Sequence, residues 1–312
     1  MQIDLSIIIP LYNEEDSVTP LYEAIVNSVN RMNVNYEILF VDDGSKDNTV
    51  PIASQLAAQD KRLKVIKFRR NYGQTPAMAA GIDNAAGTIL VTMDGDLQND
   101  PDDIPMLVQK INEGFDIVVG WRHKRQDKLI SRKIPSKVAN WLIGKITGVP
   151  IKDNGCSLKA YRADVIQKIP LYSEMHRFIP AMTSLAGTKI AEVKVKHHAR
   201  AFGESKYGLN RIYKVFIDLI TIKTLLSSFS KPLLVFAIVG GISGIIGMFV
   251  FSAALMLTPD LPALVFYSVG ALYSSLAIVL LLWGTLGELI YRTGDLKLEH
   301  FAQIKSSIKT QK

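Results

Sequence analysis

Short apolar runs alternate with stretches of helical periodicity through the first part of the chain. The five predicted strands span residues 5–10, 36–41, 63–68, 88–93 and 115–120, of which 63–68 alternates and the others are mainly apolar. Runs of this length are typical of buried strands, and the segments between them have the length and spacing of helices. Strands that alternate with helices predict a parallel sheet with right-handed crossovers. We therefore expect an α/β domain built on a mostly parallel sheet.

Two later stretches are both amphipathic and cationic. They span residues 127–149 and 209–231, where apolar residues recur at helical spacing with lysine and arginine between them. Either stretch alone is typical of a core-facing helix with a solvated basic edge. Their position beside the apolar segments described next favours helices that lie on a membrane surface.

Two long segments near the end of the chain carry no charge. They span residues 232–257 and 263–287 and are separated by a short turn. Each exceeds the ~20 residues needed to cross a bilayer, so a transmembrane hairpin is favoured over a buried hairpin of a soluble protein. Lys231 precedes the hairpin and Arg292 follows it, whereas the turn has no basic residue. The positive-inside rule then predicts that both ends face the cytoplasm.

Composition supports a membrane protein with an anionic partner. The 312 residues are 48% hydrophobic, and the net charge is +7. Because the basic residues cluster beside the apolar segments, membrane and phosphate are favoured over nucleic acid as partners. Cys156 is the single cysteine, which excludes an intramolecular disulfide and fits a reducing compartment. The first residues lack the pattern of a signal peptide, so we expect the α/β domain on the cytoplasmic side.

A pair of carboxylates follows the fourth predicted strand. Asp94 and Asp96 flank Gly95, at the sheet edge where open α/β sheets bind ligands. This spacing lets both carboxylates face one hard cation, Mg²⁺ or Mn²⁺, that would hold a nucleotide diphosphate. Neither a dinucleotide fingerprint nor a Walker loop is present in the sequence. The alternative is a solvated turn, with Asp100 capping the next helix.

Four ordered motifs resemble those of glycosyltransferase family two. They span residues 9–14 (IPLYNE), 41–45 (VDDGS), 94–98 (DGDLQ) and 200–207 (RAFGESKY). More narrowly, the motifs and the hairpin resemble the polyprenyl-phosphate glycosyltransferases related to dolichyl-phosphate mannose synthase. Within that group, the bacterial lipid-linked glucosyltransferases carry such a hairpin. The resemblance covers essentially the whole chain.

The resemblance implies a GT-A fold, which is Rossmann-like, together with a membrane anchor. It implies a cytoplasmic catalytic domain at 1–207, a juxtamembrane amphipathic helix at 208–231, two transmembrane helices within 232–291, and a cytoplasmic tail at 292–312. The protein would then be integral to a bacterial-type inner membrane, with both termini in the cytoplasm. Glycines in the first span permit close helix packing, so a homo-oligomer is possible.

The resemblance also implies which residues bind the donor. The expected nucleotide-sugar site comprises Pro10, Tyr12, Glu14, Asp42, Gln74, Asp94 and Asp96. The expected metal ligands are Asp94, Asp96 and Gln98, which would hold Mg²⁺ or Mn²⁺ directly or through water. A carboxylate at Asp42 suits a base imide or a ribose hydroxyl, and the alternative is that Asp42 and Asp43 only form an Asx turn.

The implied reaction is displacement at the anomeric carbon of the sugar by a phosphate oxygen of a polyprenyl phosphate. This nucleophile is already anionic, so it needs no strong general base. Fixed cations would stabilise the leaving diphosphate, and the candidates are Arg122, Arg200 and Lys206. Arg132, with Arg200 and Lys206, would bind the acceptor phosphate, and Asp153 resembles a family position that faces the reacting centre.

The sequence is compatible with several donors and with other functions. UDP-glucose is the favoured donor, and GDP-mannose is the second candidate. A processive polysaccharide synthase resembles a different pattern, with Gln-x-x-Arg-Trp, which this sequence lacks. A membrane-anchored protein that binds a nucleotide sugar without catalysis is opposed by the intact carboxylates at 94 and 96.

Overall fold

The computed structural model describes the following parts of the chain: residues 2–123, 140, 143–145, 148–169, 171, 175–184, 187–199, 232–256 and 261–293. The chain divides into two units, of which the first contains the sheet and the second contains two long helices. Most of the predicted surface stretch 127–149, and all of 209–231, lie outside the described residues.

Seven strands form a single sheet in the first unit. They are β1 (Leu5–Leu11), β2 (Tyr36–Asp42), β3 (Leu63–Lys67), β4 (Ile89–Thr92), β5 (Ile117–Arg122), β6 (Lys159–Arg162) and β7 (Ile190–Val195). Their order is β3-β2-β1-β4-β6-β5-β7. Strand β6 is antiparallel to both of its neighbours, β4 and β5, and every other pairing is parallel. The mostly parallel sheet predicted from the sequence is confirmed, and the antiparallel β6 and the edge strand β7 are additions that the sequence pattern did not predict.

The burial of the strands explains their sequences. Every residue of β2 is buried, and so is every residue of β1 except Pro10. Strands covered on both faces read as continuous apolar runs, which is why these two were visible in the sequence. The edge strands β3 and β7 instead carry exposed lysines, namely Lys64, Lys67 and Lys194. Edge lysines discourage pairing with a strand of another molecule.

Helices cover both faces of the sheet. They are α1 (Val18–Val29), α2 (Thr49–Gln59), α3 (Gln74–Asn84), α4 (Ile104–Asn112), α5 (Ala163–Ile166) and α6 (Ile179–Ser184). One apolar core joins Leu21 of α1 and Leu107 of α4 to Ile7 and Ile9 of β1. On the opposite face α3 approaches closely, since a Cβ atom on Gly81 would lie 2.3 Å from Cγ2 of Ile8.

Two long helices, α7 (Pro232–Met256) and α8 (Leu261–Thr293), form the second unit. Small residues hold them together: the Ser243 hydroxyl donates to the Tyr273 carbonyl at 2.9 Å, and a Cβ atom on Gly247 would lie 2.7 Å from Oγ of Ser274. Pro232–Met256 and Leu264–Ile290 are each long and apolar enough to cross a membrane. Only 17% and 6% of the most apolar 18-residue stretch of each is buried. A core helix of a soluble protein would be mostly buried, so the pair fits the predicted hairpin.

Candidate active site

The loops that follow β1 and β2 are locked to each other. The Asn13 N–H donates to Oγ of Ser45 at 2.9 Å, and the Lys46 N–H donates back to Oδ1 of Asn13 at 2.9 Å. The Glu14 N–H donates to Oγ1 of Thr49 at 2.8 Å. Asn13 has a φ of 51°, a left-handed conformation that asparagine tolerates. The first two sequence motifs therefore form one hydrogen-bonded rim at the carboxyl edge of the sheet.

Asp42 uses one of its carboxylate oxygens to shape this rim. Its Oδ2 accepts from the N–H groups of Gly44 and Ser45, both at 3.1 Å, so the Asx turn is present. Its Oδ1 is buried, and among the described residues no group donates a hydrogen bond to it. Gly44 has a φ of 74°, and a Cβ atom there would lie 2.4 Å from the carbonyl carbon of Arg70. The turn thus requires glycine, and Asp42 retains an acceptor oxygen.

Asp43 ties the next loop to the same rim. Its two carboxylate oxygens accept from the N–H groups of Tyr72 and Gly73 at 2.7 and 2.8 Å. Burial raises the pKa of Asp43 and the neighbouring Asp42 charge adds to the increase, although the two N–H groups oppose it. Because Gly73 immediately precedes helix α3, these bonds fix the position at which Gln74 begins the helix.

The turn after β4 packs against the end of β1. A Cβ atom on Gly95 would lie 2.5 Å from Cδ2 of Leu11 and 3.2 Å from the Pro10 carbonyl oxygen. The Ser17 hydroxyl donates to the Gly95 carbonyl at 2.8 Å, and it also lies 3.2 Å from Oε2 of Glu14. The predicted donor residues Pro10 and Glu14 therefore lie next to this turn. Tyr12, between them in the sequence, is partly buried in the same loop.

Asp94 and Asp96 are both held by glutamines. The Gln74 side-chain amide donates to Oδ1 of Asp94 at 2.6 Å, and the Gln98 N–H donates to Oδ1 of Asp96 at 3.1 Å. Between Asp96 and Gln98, Leu97 adopts a left-handed φ of 60°, which is uncommon for a branched side chain. The structure thus brings Gln74, Asp94, Asp96 and Gln98 to one turn.

The donor set at this turn suits a hard divalent cation. Carboxylate and amide oxygens are the ligands that Mg²⁺ and Mn²⁺ prefer. In the parts of the chain that the structure describes, no group of three histidine, cysteine or acidic side chains is placed to enclose an ion. Two carboxylates without a full protein cage leave coordination positions for water and for phosphate oxygens.

Arg122 and Asp153 form a buried ion pair. Nε and Nη2 of Arg122 donate to the two carboxylate oxygens of Asp153 at 2.7 and 2.9 Å, and the two side chains are 14% and 4% exposed. Burial lowers the pKa of Arg122, but the hydrogen bonds to Asp153 and the charges of Asp153 and Asp94 raise it above its ordinary value. Asp153 therefore orients Arg122, and the charge of Arg122 acts on Asp94.

A buried lysine near this pair was not predicted from the sequence. Lys159, on β6, is 2% exposed, and its ammonium group donates to the carbonyls of Asn154 and His176, both at 3.1 Å. Burial lowers the pKa of Lys159 to about 8. The available signal was a single charge within the otherwise uncharged run 154–161.

Arg132, Arg200 and Lys206 lie outside the described residues, so their predicted roles stay predictions. The segment just before Arg200 is described, and it runs beside the turn. The His198 N–H donates to the Gln98 carbonyl at 2.9 Å, and Asn99 forms an antiparallel bridge with His197. The chain thus reaches Ala199 alongside the predicted metal ligands.

Comparisons with known proteins find glycosyltransferases among the relatives of this chain. The family model described as Glycosyl transferase family 2 matches residues 6–170. Dodecaprenyl-phosphate galacturonate synthase from Rhizobium johnstonii is 45% identical over 74% of this chain and 69% of that protein. Undecaprenyl-phosphate 4-deoxy-4-formamido-L-arabinose transferase from Aeromonas hydrophila is 37% identical over 92% of this chain and 88% of that protein.

Solved structures match the fold. Glucosyl-3-phosphoglycerate synthase from Mycobacterium tuberculosis, crystallised with Mn²⁺ and UDP-glucose, aligns with a TM-score of 0.54 and 18% identity over 70% of this chain and 77% of that chain. Mannosyl-3-phosphoglycerate synthase from Rubrobacter xylanophilus aligns with a TM-score of 0.54 and 14% identity over 70% and 73% of the two chains. At these identities the match concerns the fold alone.

Proposed function

The chain belongs to glycosyl transferase family 2, and on this basis we propose that it transfers a sugar from a nucleotide-sugar donor to the phosphate of a membrane polyprenyl phosphate. Two relatives named for this kind of transfer, to dodecaprenyl and undecaprenyl phosphate, support the proposal. The single observation that carries it is the turn at Asp94 and Asp96. Two carboxylates, held by Gln74 and Gln98, lie there beside the rim formed by the first two motifs.

The nucleotide part of the donor would bind along the rim. The buried Oδ1 of Asp42 is an acceptor suited to a base imide or a ribose hydroxyl. Leaving such an oxygen buried without a donor is costly, and a bound nucleoside would supply the donor. Pro10, Tyr12 and Glu14 lie in the adjoining loop and would contact the same group.

Asp94 and Asp96, with Gln98, would hold Mg²⁺ or Mn²⁺. When bound, this ion supplies positive charge to the diphosphate of the donor. Gln74 keeps the Asp94 carboxylate oriented through the 2.6 Å hydrogen bond. Arg122, held in place by Asp153, adds a fixed positive charge close to Asp94, where negative charge accumulates as the leaving group departs.

The acceptor would be held at the membrane. A phosphate nucleophile arrives already ionised, so the protein needs only to position it and exclude water. We assign the catalytic domain to 1–207, the juxtamembrane helix to 208–231, the hairpin to 232–291 and the tail to 292–312. Arg132, Arg200 and Lys206 are the proposed phosphate-binding residues.

The proposed location is a bacterial-type inner membrane, with the catalytic domain and both termini in the cytoplasm. The two apolar helices supply the anchor, and the basic residues at 231 and 292 give the orientation. Gly240 and Gly247 pack against α8 within the hairpin. These glycines therefore already have a role inside one chain, and a homo-oligomer stays a prediction.

The donor that we propose first is UDP-glucose. A nucleotide-linked galacturonate is a second candidate, because the relative that is 45% identical is named a galacturonate synthase. GDP-mannose is a third, from the resemblance to dolichyl-phosphate mannose synthase. The three differ in base or in sugar charge, so a donor panel separates them.

The test is transfer of radiolabelled sugar to polyprenyl phosphate by the detergent-purified chain. The donors are UDP-glucose, UDP-galacturonate and GDP-mannose, each with Mg²⁺, Mn²⁺ or EDTA. We expect lipid labelling from one donor, its loss with EDTA, and its loss in Asp96→Ala. The matched control is Asp102→Ala, which removes an exposed carboxylate six residues further along the chain and should keep activity.

Two results would contradict the proposal. Labelling that persists in Asp96→Ala would separate the reaction from the turn at Asp94 and Asp96. No labelling from any donor, in a chain that still binds UDP or GDP, would favour the membrane-anchored binding protein without catalysis.

A further inference from the structure

We propose that Lys159 is a positioning residue for the donor site, because its buried ammonium group joins the two loops that hold Arg122 and Gln74 beside Asp94. The inference rests on the proposed function, in that the turn at Asp94 is taken to bind the nucleotide diphosphate. It assigns a role to a residue that belongs to none of the four sequence motifs.

Lys159 lies on an interior strand of the sheet. It is paired in register with Thr92 of β4 and with Val119 of β5. Its side chain is directed away from solvent and ends between two backbone carbonyls, each 3.1 Å from Nζ. One is that of Asn154, in the loop before β6, and the other is that of His176, in the loop around the 3₁₀ turn Met175–Arg177. These two loops are 22 residues apart in the sequence, so the ammonium group is a cross-link between distant segments.

The first loop leads to Arg122. Asn154 directly follows Asp153, which grips the Arg122 guanidinium through both carboxylate oxygens. Asn154 is itself 2% exposed, and its side-chain amide contacts the Ile151 carbonyl at 3.4 Å. Holding the Asn154 carbonyl therefore fixes the backbone that presents Asp153, and through it the cation whose charge acts on Asp94.

The second loop leads to Gln74. Nδ1 of His176 lies 2.6 Å from Oγ1 of Thr75, and both residues are buried. Thr75 directly follows Gln74, whose side-chain amide donates to Oδ1 of Asp94 at 2.6 Å. The two loops that Lys159 holds thus lead to Arg122 and to Gln74, and both of these residues act on the Asp94 carboxylate.

The sheet itself does not need a charge at this position. A methionine has similar length and would fill the space without the cost of removing an ammonium group from water. Burial lowers the pKa of Lys159, and the Arg177 and Arg122 charges add to the decrease, whereas Cys156 and Asp153 oppose it. Burying the Lys159 ammonium group within the sheet costs free energy, and both of its hydrogen bonds go to the loops that contain Asn154 and His176. A positioning role accounts for both observations.

The principal test compares Lys159→Met with Lys168→Met, which removes an exposed lysine nine residues away. The measurements are the Kd of UDP and of GDP in the presence of Mg²⁺ by calorimetry, and kcat and KM for sugar transfer. Groups that orient metal ligands change affinity or activity by roughly 10–100-fold when lost. We expect a loss of that size in Lys159→Met, in kcat and in nucleotide affinity, and no change in Lys168→Met.

A second variant tests one loop alone and keeps the lysine. Thr75→Val removes the hydroxyl that contacts His176 and should weaken nucleotide affinity in the same direction. If both variants act through one path, the double variant should lose less than the two single losses multiplied together. A purely structural lysine would change stability without this coupling.

The outcomes separate the two proposals. Folded Lys159→Met with unchanged Kd and kcat would overturn the positioning role. If Lys159→Met does not fold, then unchanged Kd and kcat in Thr75→Val would overturn it. If the unmodified chain binds UDP or GDP but transfers no sugar, the proposed function fails and the affinity comparison still decides the role of Lys159. A chain that neither binds nor transfers would overturn both proposals.

Discussion

The buried pair between Arg122 and Asp153 predicts a large and specific loss of stability in Asp153→Asn. The substitution keeps the shape of the side chain and removes its negative charge. Arg122 then stays buried without its hydrogen-bonded partner charge, because both of its strong acceptors were oxygens of the same carboxylate. The asparagine oxygen can still accept one of the two hydrogen bonds.

The expected size follows from the exposure of the two side chains. The Arg122 and Asp153 side chains are 14% and 4% exposed, and removing one partner of a buried pair costs about 3–5 kcal/mol. The remaining hydrogen bond places the expected loss near the lower limit, at about 3 kcal/mol. The chain offers a matched control in Arg162 and Asp164, whose side chains are 37% and 40% exposed at 3.3 Å. For Asp164→Asn we expect about 0–1 kcal/mol.

The free energy of unfolding can be measured by pulse proteolysis of the detergent-purified chain at increasing urea concentrations. Cleavage within residues 1–199 reports the unit that contains the sheet. The interpretation is refuted if Asp153→Asn and Asp164→Asn shift the urea midpoint equally. Asp153→Asn should also reduce kcat, since Arg122 loses the carboxylate that holds its guanidinium in place, whereas Asp164→Asn should not.

Two further predictions concern packing and pH. Gly95→Ala should lower the free energy of unfolding by about 1–3 kcal/mol and abolish transfer, because the new Cβ atom would lie 2.5 Å from Cδ2 of Leu11. The control is Gly241→Ala, whose new Cβ atom would have no atom within 4 Å. Equal effects of the two substitutions would contradict the close packing at Gly95. Burial raises the pKa of Glu37, but the Lys64 ammonium and hydrogen bonds from a backbone N–H and a serine outweigh it and leave the pKa below its ordinary value of 4.5. A lowered carboxyl pKa stabilises the fold above the unfolded value, so urea midpoints should fall as the pH drops below about 4.5. Glu37→Gln should reduce this decrease of the urea midpoint at low pH. A decrease of the same size in Glu37→Gln would refute the assignment of the pH dependence to Glu37.

The sequence predicted the part of the fold in which local pattern and burial agree. Strands β1 and β2 are buried on both faces, so their residues form uninterrupted apolar runs. Strand β6 is only four residues long and begins and ends with a basic residue, Lys159 and Arg162. Its burial depends on neighbours that lie far away in the sequence, and no local pattern contains that information.

The candidate site shows the same division. Asp94 and Asp96 were visible because they interrupt an apolar run at a strand end. Arg122 and Asp153 were each predicted to act on the substrate, but their contact with each other depends on the fold that brings residues 31 apart together. Lys159 was missed for a related reason, since a lysine in a sequence is ordinarily a surface residue.

The position of β6 in the sheet sets the order in which the strands can pair during synthesis on the ribosome. The first four strands can pair as soon as they are made, but β5 joins them only through β6, which is synthesised later. Until Arg162 has emerged, β4 presents an open edge to whatever is nearby. The last strand that the structure describes ends at Val195, well before the first long apolar helix begins at Pro232. Because domains tend to fold as units during synthesis, the sheet can complete its strand pairing before the first long apolar helix leaves the exit tunnel.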